Sequence, residues 1–234
     1  MIIPRGVVVS CQGPQGTPLD DPHVMAAMAQ AAELAGAVAI RAQGSADIRQ
    51  IRGAVSLPII GLLKRDVDGV RRITHTLEDA EAVAEAGADI VAVDLTRRPR
   101  PDRLSPSEFM ALLRSRIRVP ILADVSTVAE GIAAAAAGAS CVSSTLSGYT
   151  DYSRQINGPD LELVAELVSS VKVPVLAEGR YRTEDQVLDA FRRGAQAVVV
   201  GTAITNPLEI TRWLVDAYRR EFWTPQVLDP TRER

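Results

Sequence analysis

Apolar residues fall in short, nearly continuous runs, and Ala-rich stretches of mixed polarity separate them. Runs such as Ile90-Val91-Ala92-Val93 and Ala197-Val198-Val199-Val200 do not alternate with polar residues, which fits parallel strands covered on both faces. Two kinds of punctuation introduce the runs. A proline opens one kind: Pro4 before Gly6 to Gln12, Pro58 before Ile59 to Lys64, Pro120 before Ile121 to Ser126, and Pro174 before Val175 to Arg180. Proline suits the start of a strand, where a missing N–H costs nothing to the ladder. A Gly-Ala pair opens the other kind, at Gly36, Gly87, Gly138 and Gly194. Each of these glycines closes an Ala-rich stretch, where glycine stops a helix.

The four glycines stand at intervals of 51, 51 and 56 residues, so a unit of two strands and two helices occurs four times. Eight strands separated by helices predict an α/β fold, a single-domain (β/α)8 TIM barrel. A doubly wound open sheet is the alternative, but four even repeats without a Gly-rich dinucleotide loop favour closure. The barrel is expected over residues 1–220, with a last helix from about Pro207 to Arg220. Residues 221–234, with Trp223, Pro225 and Pro230, read as an irregular tail or part of an oligomer contact.

Length and composition agree with one domain: 234 residues, of which 47% are apolar. The net charge is -3 and the signs are interspersed, which points away from nucleic acid or an anionic membrane and towards a small ligand. The apolar runs end well short of the roughly 20 residues a membrane span needs. Pro4, Arg5 and Gly6 interrupt any signal-peptide pattern, and a soluble protein is expected. Two cysteines make no disulfide framework, so a reducing cytoplasm is the simplest setting. Cys11 and Cys141 should lie at opposite ends of the barrel as packed thiols. His23 and His75 are far apart with no accompanying ligand spacing, so no metal is expected.

In this fold the loops after the strands form the active face, so polar residues at strand ends carry the chemistry. Gln12, Arg41, Lys64, Asp94 with Thr96, Asp124 and Glu178 occupy those positions and should face one mouth. A lysine at a dry mouth can be made neutral enough to act as a base, although Lys64 also reads as a surface residue in Lys64-Arg65-Asp66. Glu178 closes an apolar strand and needs partners; a salt bridge to Arg180 is the structural alternative. Asp124 could instead cap the fifth helix. Two glycine turns, Gly179-Arg180 and Gly201-Thr202-Ala203, follow the seventh and eighth runs, where this fold commonly binds phosphate.

Several strings occur together and in order: Val9-Ser10-Cys11-Gln12, Ala39-Ile40-Arg41-Ala42, Ile59-Ile60-Gly61-Leu62-Leu63-Lys64-Arg65-Asp66 and Ala123-Asp124-Val125-Ser126-Thr127. Ser144-Thr145-Leu146-Ser147-Gly148-Tyr149-Thr150, Ala177-Glu178-Gly179-Arg180 and Val200-Gly201-Thr202-Ala203-Ile204-Thr205 complete the set. Taken together they resemble the bacterial N-acylglucosamine-6-phosphate 2-epimerases from Gly6 to about Tyr218. The resemblance implies interconversion of N-acetylmannosamine 6-phosphate and N-acetylglucosamine 6-phosphate in sialic acid catabolism, without a cofactor. It implies Lys64 as the base at C2 and Glu178 as the residue assisting ring opening and proton handling. Gln12, Arg41, Asp124 and Tyr149 would hold the substrate, while Gly179, Arg180, Gly201 and Thr202 would bind its phosphate. A homodimer is the expected assembly, with no nucleic-acid or membrane partner.

Two positions depart from the family pattern. Asn206 stands where the family usually has an arginine near the phosphate, and His75 stands where a proline is common. Asn206-Pro207-Leu208-Glu209 nevertheless reads as a sound helix start. Other phosphate-binding barrels share the fold but not the combination of Lys64, Glu178 and the Thr145-to-Tyr149 string. A regulator that only senses a sugar phosphate would need the phosphate grip but neither Lys64 nor Glu178.

Overall fold

The structure is a computed structural model that describes residues 3–67 and 69–222. The elements run β1 (Gly6–Cys11), α1 (Pro22–Leu34), β2 (Ala39–Gln43), α2 (Ser45–Arg52), β3 (Ile59–Leu62), β4 (Lys64–Val67), β5 (Val70–Ile73), α3 (Leu77–Glu85) and β6 (Ile90–Asp94). They continue with α4 (Pro106–Arg116), β7 (Ile121–Asp124), α5 (Val128–Ala136), β8 (Cys141–Ser143), α6 (Leu161–Ser170), β9 (Val175–Glu178), α7 (Glu184–Arg192), β10 (Ala197–Val200), α8 (Thr202–Thr205) and α9 (Pro207–Phe222). All strands except β4 and β5 pair in parallel as a closed barrel, in the order β1-β10-β9-β8-β7-β6-β3-β2. The expected (β/α)8 barrel is therefore what the chain forms.

The repeat punctuation works through the backbone. Gly36, Gly87, Gly138 and Gly194 take φ values of +90°, +102°, +101° and +93°, a left-handed conformation that favours glycine. The alanine after each returns its N–H to the last turn of the preceding helix: Ala37 to the Ala32 carbonyl at 2.9 Å, and Ala139 to the Ala134 carbonyl at 3.0 Å. This Schellman geometry ends the helix and aims the chain into the next strand. Pro58, Pro120 and Pro174 contribute only their carbonyls, which accept from Ile40, Val91 and Val142 of neighbouring strands at 2.9–3.0 Å.

Alternation along each strand decides which end of the barrel carries polar groups. The interior cluster is built from Val8, Ala39, Ile60, Leu62, Ile90, Ala92, Leu122, Cys141, Leu176, Ala197 and Val199. Two residues further along the same face come Ser10, Arg41, Lys64, Asp94, Asp124, Ser143 and Glu178. The inward set is thus apolar below and polar at the C-terminal end. Cys11 and Cys141 are free and buried at the end of β1 and the start of β8, as expected, and burial pushes both thiols up to about 12.

Two local features differ from the sequence expectation. The third barrel strand stops at Leu62, and Lys64 opens an antiparallel hairpin of β4 and β5 instead of closing β3. The Thr74 N–H donates to the Leu63 carbonyl at 2.7 Å and closes the hairpin base. Arg72 of the hairpin donates to the Pro99 carbonyl at 3.1 Å and thereby docks it on the loop after β6. The last helix continues through Glu221 to Phe222, so these two residues do not belong to an irregular tail; 223–234 lie outside the described residues. None of the described residues of α9 is buried, and Leu208, Leu214, Val215, Tyr218 and Phe222 are exposed.

Gly61 leaves no room for a side chain between the barrel and α3. A Cβ there would lie 2.6 Å from Ala88 Cβ and 2.7 Å from Val83 Cγ1, both in the buried layer between barrel and helices. Overpacking a filled core costs on the order of 1–3 kcal/mol. Gly61→Ala should therefore lower the Tm by several degrees in a thermal melt, and an unchanged Tm would show that this layer is loosely packed.

Candidate active site

Arg41 lies at the centre of the polar end of the barrel, with 1% of its surface exposed. It is held on β2 and reaches two carboxylates. Its NH1 and NH2 donate to Asp124 Oδ1 and Oδ2 at 3.1 and 2.6 Å, and NH1 also meets Glu178 Oε2 at 2.8 Å. Asp124 is completely buried. A buried guanidinium with two acidic partners stays charged: the neighbouring carboxylates outweigh the loss of water and raise its pKa.

Both structural alternatives for the carboxylates are ruled out. The cap of α5 is Thr127, which accepts from the Glu130 N–H and forms a capping box with Glu130, leaving Asp124 to Arg41. Arg180 does not pair with Glu178. It has φ +59°, and its guanidinium donates to the Gly158 carbonyl at 2.6 Å and the Ser147 carbonyl at 2.8 Å. Arg180 therefore ties the loop after β8 to the loop after β9, with Tyr149 5.5 Å away as a cation–π neighbour.

The two groups expected to move protons are shifted in opposite directions. Burial, joined by the Arg41 charge and by Arg71, pushes the Lys64 ammonium down to about 8 against the pull of Glu178 and Asp124. Burial raises the Glu178 carboxyl to about 7; Asp124 adds to the rise, while Arg41 and Lys64 oppose it. Near neutral pH each group therefore lies close to its midpoint and can both give and take a proton, an arrangement suited to acid–base chemistry.

Hydroxyl groups supply contacts that reading the strand ends did not single out. Thr145 Oγ1 lies 2.6 Å from Asp124 Oδ1, 2.8 Å from Ser143 Oγ and 3.2 Å from Glu178 Oε2. Ser144 Oγ spans the backbone of Glu178, 3.0 Å from both its N–H and its carbonyl. The available signal was the run Ser143-Ser144-Thr145 directly after a short apolar strand. Gln12 Nε2 donates to Ser10 Oγ at 2.7 Å, while its Oε1 is buried without a hydrogen-bond partner. Asp94 and Thr96 are not open to the mouth. Asp94 accepts from the Thr96 N–H and hydroxyl and pairs with Arg98, fixing the loop after β6.

The two glycine turns stand side by side, because β9 and β10 are neighbours in the barrel with Val199 opposite Glu178. Gly179 takes φ +117°, and Gly201 precedes α8, whose Thr205 hydroxyl donates to the Ser10 carbonyl at 2.7 Å. The first N–H groups of a helix have no partner inside it. Asn206 caps α9 as expected, accepting from the Glu209 N–H at 3.1 Å. His75 is buried, with Nδ1 3.2 Å from Asp79 Oδ2. Among the described residues no three His, Cys, Asp or Glu side chains are grouped to hold a metal ion.

Residues 25–220 match the family described as "Putative N-acetylmannosamine-6-phosphate epimerase". The chain belongs to this family. Two relatives carry the name "Putative N-acetylmannosamine-6-phosphate 2-epimerase". The one from Caldanaerobacter subterraneus is 49% identical over 213 residues, 90% of each chain. The one from Cutibacterium acnes is 48% identical over 216 residues, 92% of this chain and 94% of the relative. The solved N-acetylmannosamine-6-phosphate 2-epimerase from Clostridium perfringens superposes with a TM-score of 0.86 at 40% identity, covering 92% of this chain and 94% of that one. A geranylgeranylglyceryl phosphate synthase from Thermoplasma acidophilum, at 15% identity and TM-score 0.59, shares the barrel fold.

For this member of the epimerase family, the Lys64 shift has a consequence for stability. A lysine whose folded pKa lies below its unfolded value destabilises the fold when charged. The penalty is complete below about 8 and fades as pH rises towards the ordinary value of 10.5. Lys64→Met should accordingly be more stable than the wild type at pH 7, by roughly 1–3 kcal/mol of unfolding free energy after allowing for partial exposure, and the gap should narrow by pH 10. A less stable Lys64→Met protein at pH 7 would contradict the assigned shift.

Proposed function

We propose that this protein interconverts N-acetylmannosamine 6-phosphate and N-acetylglucosamine 6-phosphate by exchanging the proton at C2, a step of sialic acid catabolism. The observation that carries the reading is the pairing of a lysine pushed towards neutrality with a carboxyl pushed towards protonation at one barrel mouth. In the open-chain sugar the C2 proton is acidic because it adjoins an aldehyde. Neutral Lys64 removes it, and the electron pair moves onto the carbonyl oxygen to give an enolate. The Lys64 ammonium, after exchanging its protons with solvent, returns one to the opposite face of C2 as the enolate electrons move back, which completes the inversion. Glu178 handles the proton exchanged between ring oxygen and C1 hydroxyl as the ring opens and closes. No cofactor enters, since both base and acid are side chains.

Arg41, at 1% exposure, is assigned to holding Glu178, and Asp124, at 0%, to holding Arg41, rather than to gripping the sugar. Gln12, with its unpartnered Oε1, and Tyr149, exposed beside Arg180, are the substrate-binding side chains in this reading. The phosphate is assigned to the turns Gly179-Arg180 and Gly201-Thr202, which follow the neighbouring strands β9 and β10. The cytoplasm is the setting that suits the free thiols of Cys11 and Cys141. A homodimer would cover the exposed apolar residues of α9.

The reaction is tested by proton NMR of the purified protein with N-acetylmannosamine 6-phosphate in deuterated water. The expected product is the C2 epimer carrying deuterium at C2, and Lys64→Ala should slow its formation by on the order of 10²- to 10⁴-fold or more. Epimer without deuterium, or near-wild-type turnover by Lys64→Ala, would contradict the mechanism; no epimer at all would contradict the function.

Asn206 sets stability against phosphate grip. An arginine there would lose the cap on α9 but add a charge-assisted contact to a dianion. Asn206→Arg should lower KM for the phosphorylated sugar several-fold with kcat nearly unchanged and a slightly lower Tm. The gain should shrink at high salt. An unchanged KM would mean that the phosphate lies elsewhere or that Arg180 already supplies its positive charge.

A further inference from the structure

The Thr145 hydroxyl has three oxygen neighbours within hydrogen-bond reach and a single hydrogen to give. Asp124 Oδ1, at 2.6 Å, is in the range of a hydroxyl donating to a carboxylate, whereas Glu178 Oε2 is 3.2 Å away. The hydrogen therefore belongs to Asp124, and Thr145 turns lone pairs towards Glu178 and Ser143. An ionised Glu178 oxygen facing a lone pair is repelled. A protonated one donates to it, closing a chain from the Glu178 hydroxyl through the Thr145 hydroxyl to the Asp124 carboxylate.

We infer that Thr145 is a positioning residue that holds the acidic proton on Glu178 by accepting it in a hydrogen bond while donating to Asp124. Its effect opposes that of Arg41, whose NH1 lies 2.8 Å from the same Glu178 oxygen and favours the ionised form. The groups facing Glu178 are Arg41 from β2, Lys64 from the start of β4, Asp124 from β7 and Thr145 from the loop after β8. Arg41 and Lys64 draw the proton off, Asp124 keeps it on through its charge, and Thr145 keeps it on through geometry. Without Thr145 the balance tips to Arg41. The location of the proton stands on geometry alone; its use in catalysis rests on the proposed epimerase reaction.

Direct titration separates the two. In protein labelled with ¹³C at the glutamate carboxyl carbons, the Glu178 resonance is identified by its loss in Glu178→Gln, and its midpoint is followed with pH. Thr145→Val, which keeps the shape and removes the hydroxyl, should lower that midpoint by roughly one pH unit, the effect of one hydrogen bond. Thr145→Ser should keep it near the wild-type value. Thr145→Ala serves as a second truncation, with the same downward shift expected, should the valine variant fail to fold. The acid-side limb of kcat against pH should move in the same direction as the Glu178 midpoint. A midpoint that rises or stays put in the truncated variants would overturn the inference, since it would mean that Thr145 donates to Glu178 or does not act on it. A lowered midpoint in a protein inactive on the sugar phosphates would leave the inference standing and remove the epimerase reading instead.

Discussion

A buried guanidinium held between two carboxylates is the interaction on which the rest of the site depends. Removing Arg41 from water is costly, and the cost is offset only if both acidic partners arrive with good geometry. They come from different strands: Asp124 from β7 and Glu178 from β9, while Arg41 stands on β2. These strands lie apart in both sequence and barrel order, so the cluster exists only once the barrel closes. Closure in turn depends on backbone devices far from the chemistry, the left-handed glycines that end α1, α3, α5 and α7.

The cluster fixes the electrostatics of its neighbours. Asp124 offsets the Arg41 charge, leaving Glu178 in surroundings dry enough to hold a proton near neutral pH and Lys64 dry enough to lose one. Opposite shifts in adjacent groups are how one site supplies both acid and base at a single pH. The hydroxyls of Thr145 and Ser144 refine this arrangement by orienting Glu178 without adding charge. The hairpin that begins at Lys64 keeps that side chain at the mouth, and Arg72 docks it on the neighbouring loop.

The barrel was legible in the sequence because its punctuation is local: a proline at a strand start and a glycine at a helix end act through their own φ and N–H. Arg41, Asp124 and Glu178 were legible as polar residues late in their strands, whereas Lys64, read as the end of the third strand, instead opens a hairpin beyond it. What pairs with what was not. Arg180 lies two residues from Glu178 and invited an ion pair, but a left-handed turn at Arg180 sends its guanidinium to Gly158 and Ser147. The β4–β5 hairpin escaped notice because Arg65 and Asp66 face Arg72 and Arg71, a pairing with no apolar alternation to reveal it. Thr145 escaped because a hydroxyl gains significance only from what surrounds it. The apolar residues of α9 were visible, but nothing in their spacing says what they meet.

This environment makes Lys64 neutral at a pH where an ordinary lysine is still charged. The chain contains only two lysines, Lys64 and Lys172, so ¹³C-lysine labelling gives two side-chain signals that can be followed individually through a pH titration. Lys64→Arg removes one of them and makes the assignment. The Lys64 midpoint is expected near 8. A Lys64 midpoint at the ordinary lysine value of about 10.4 would contradict it.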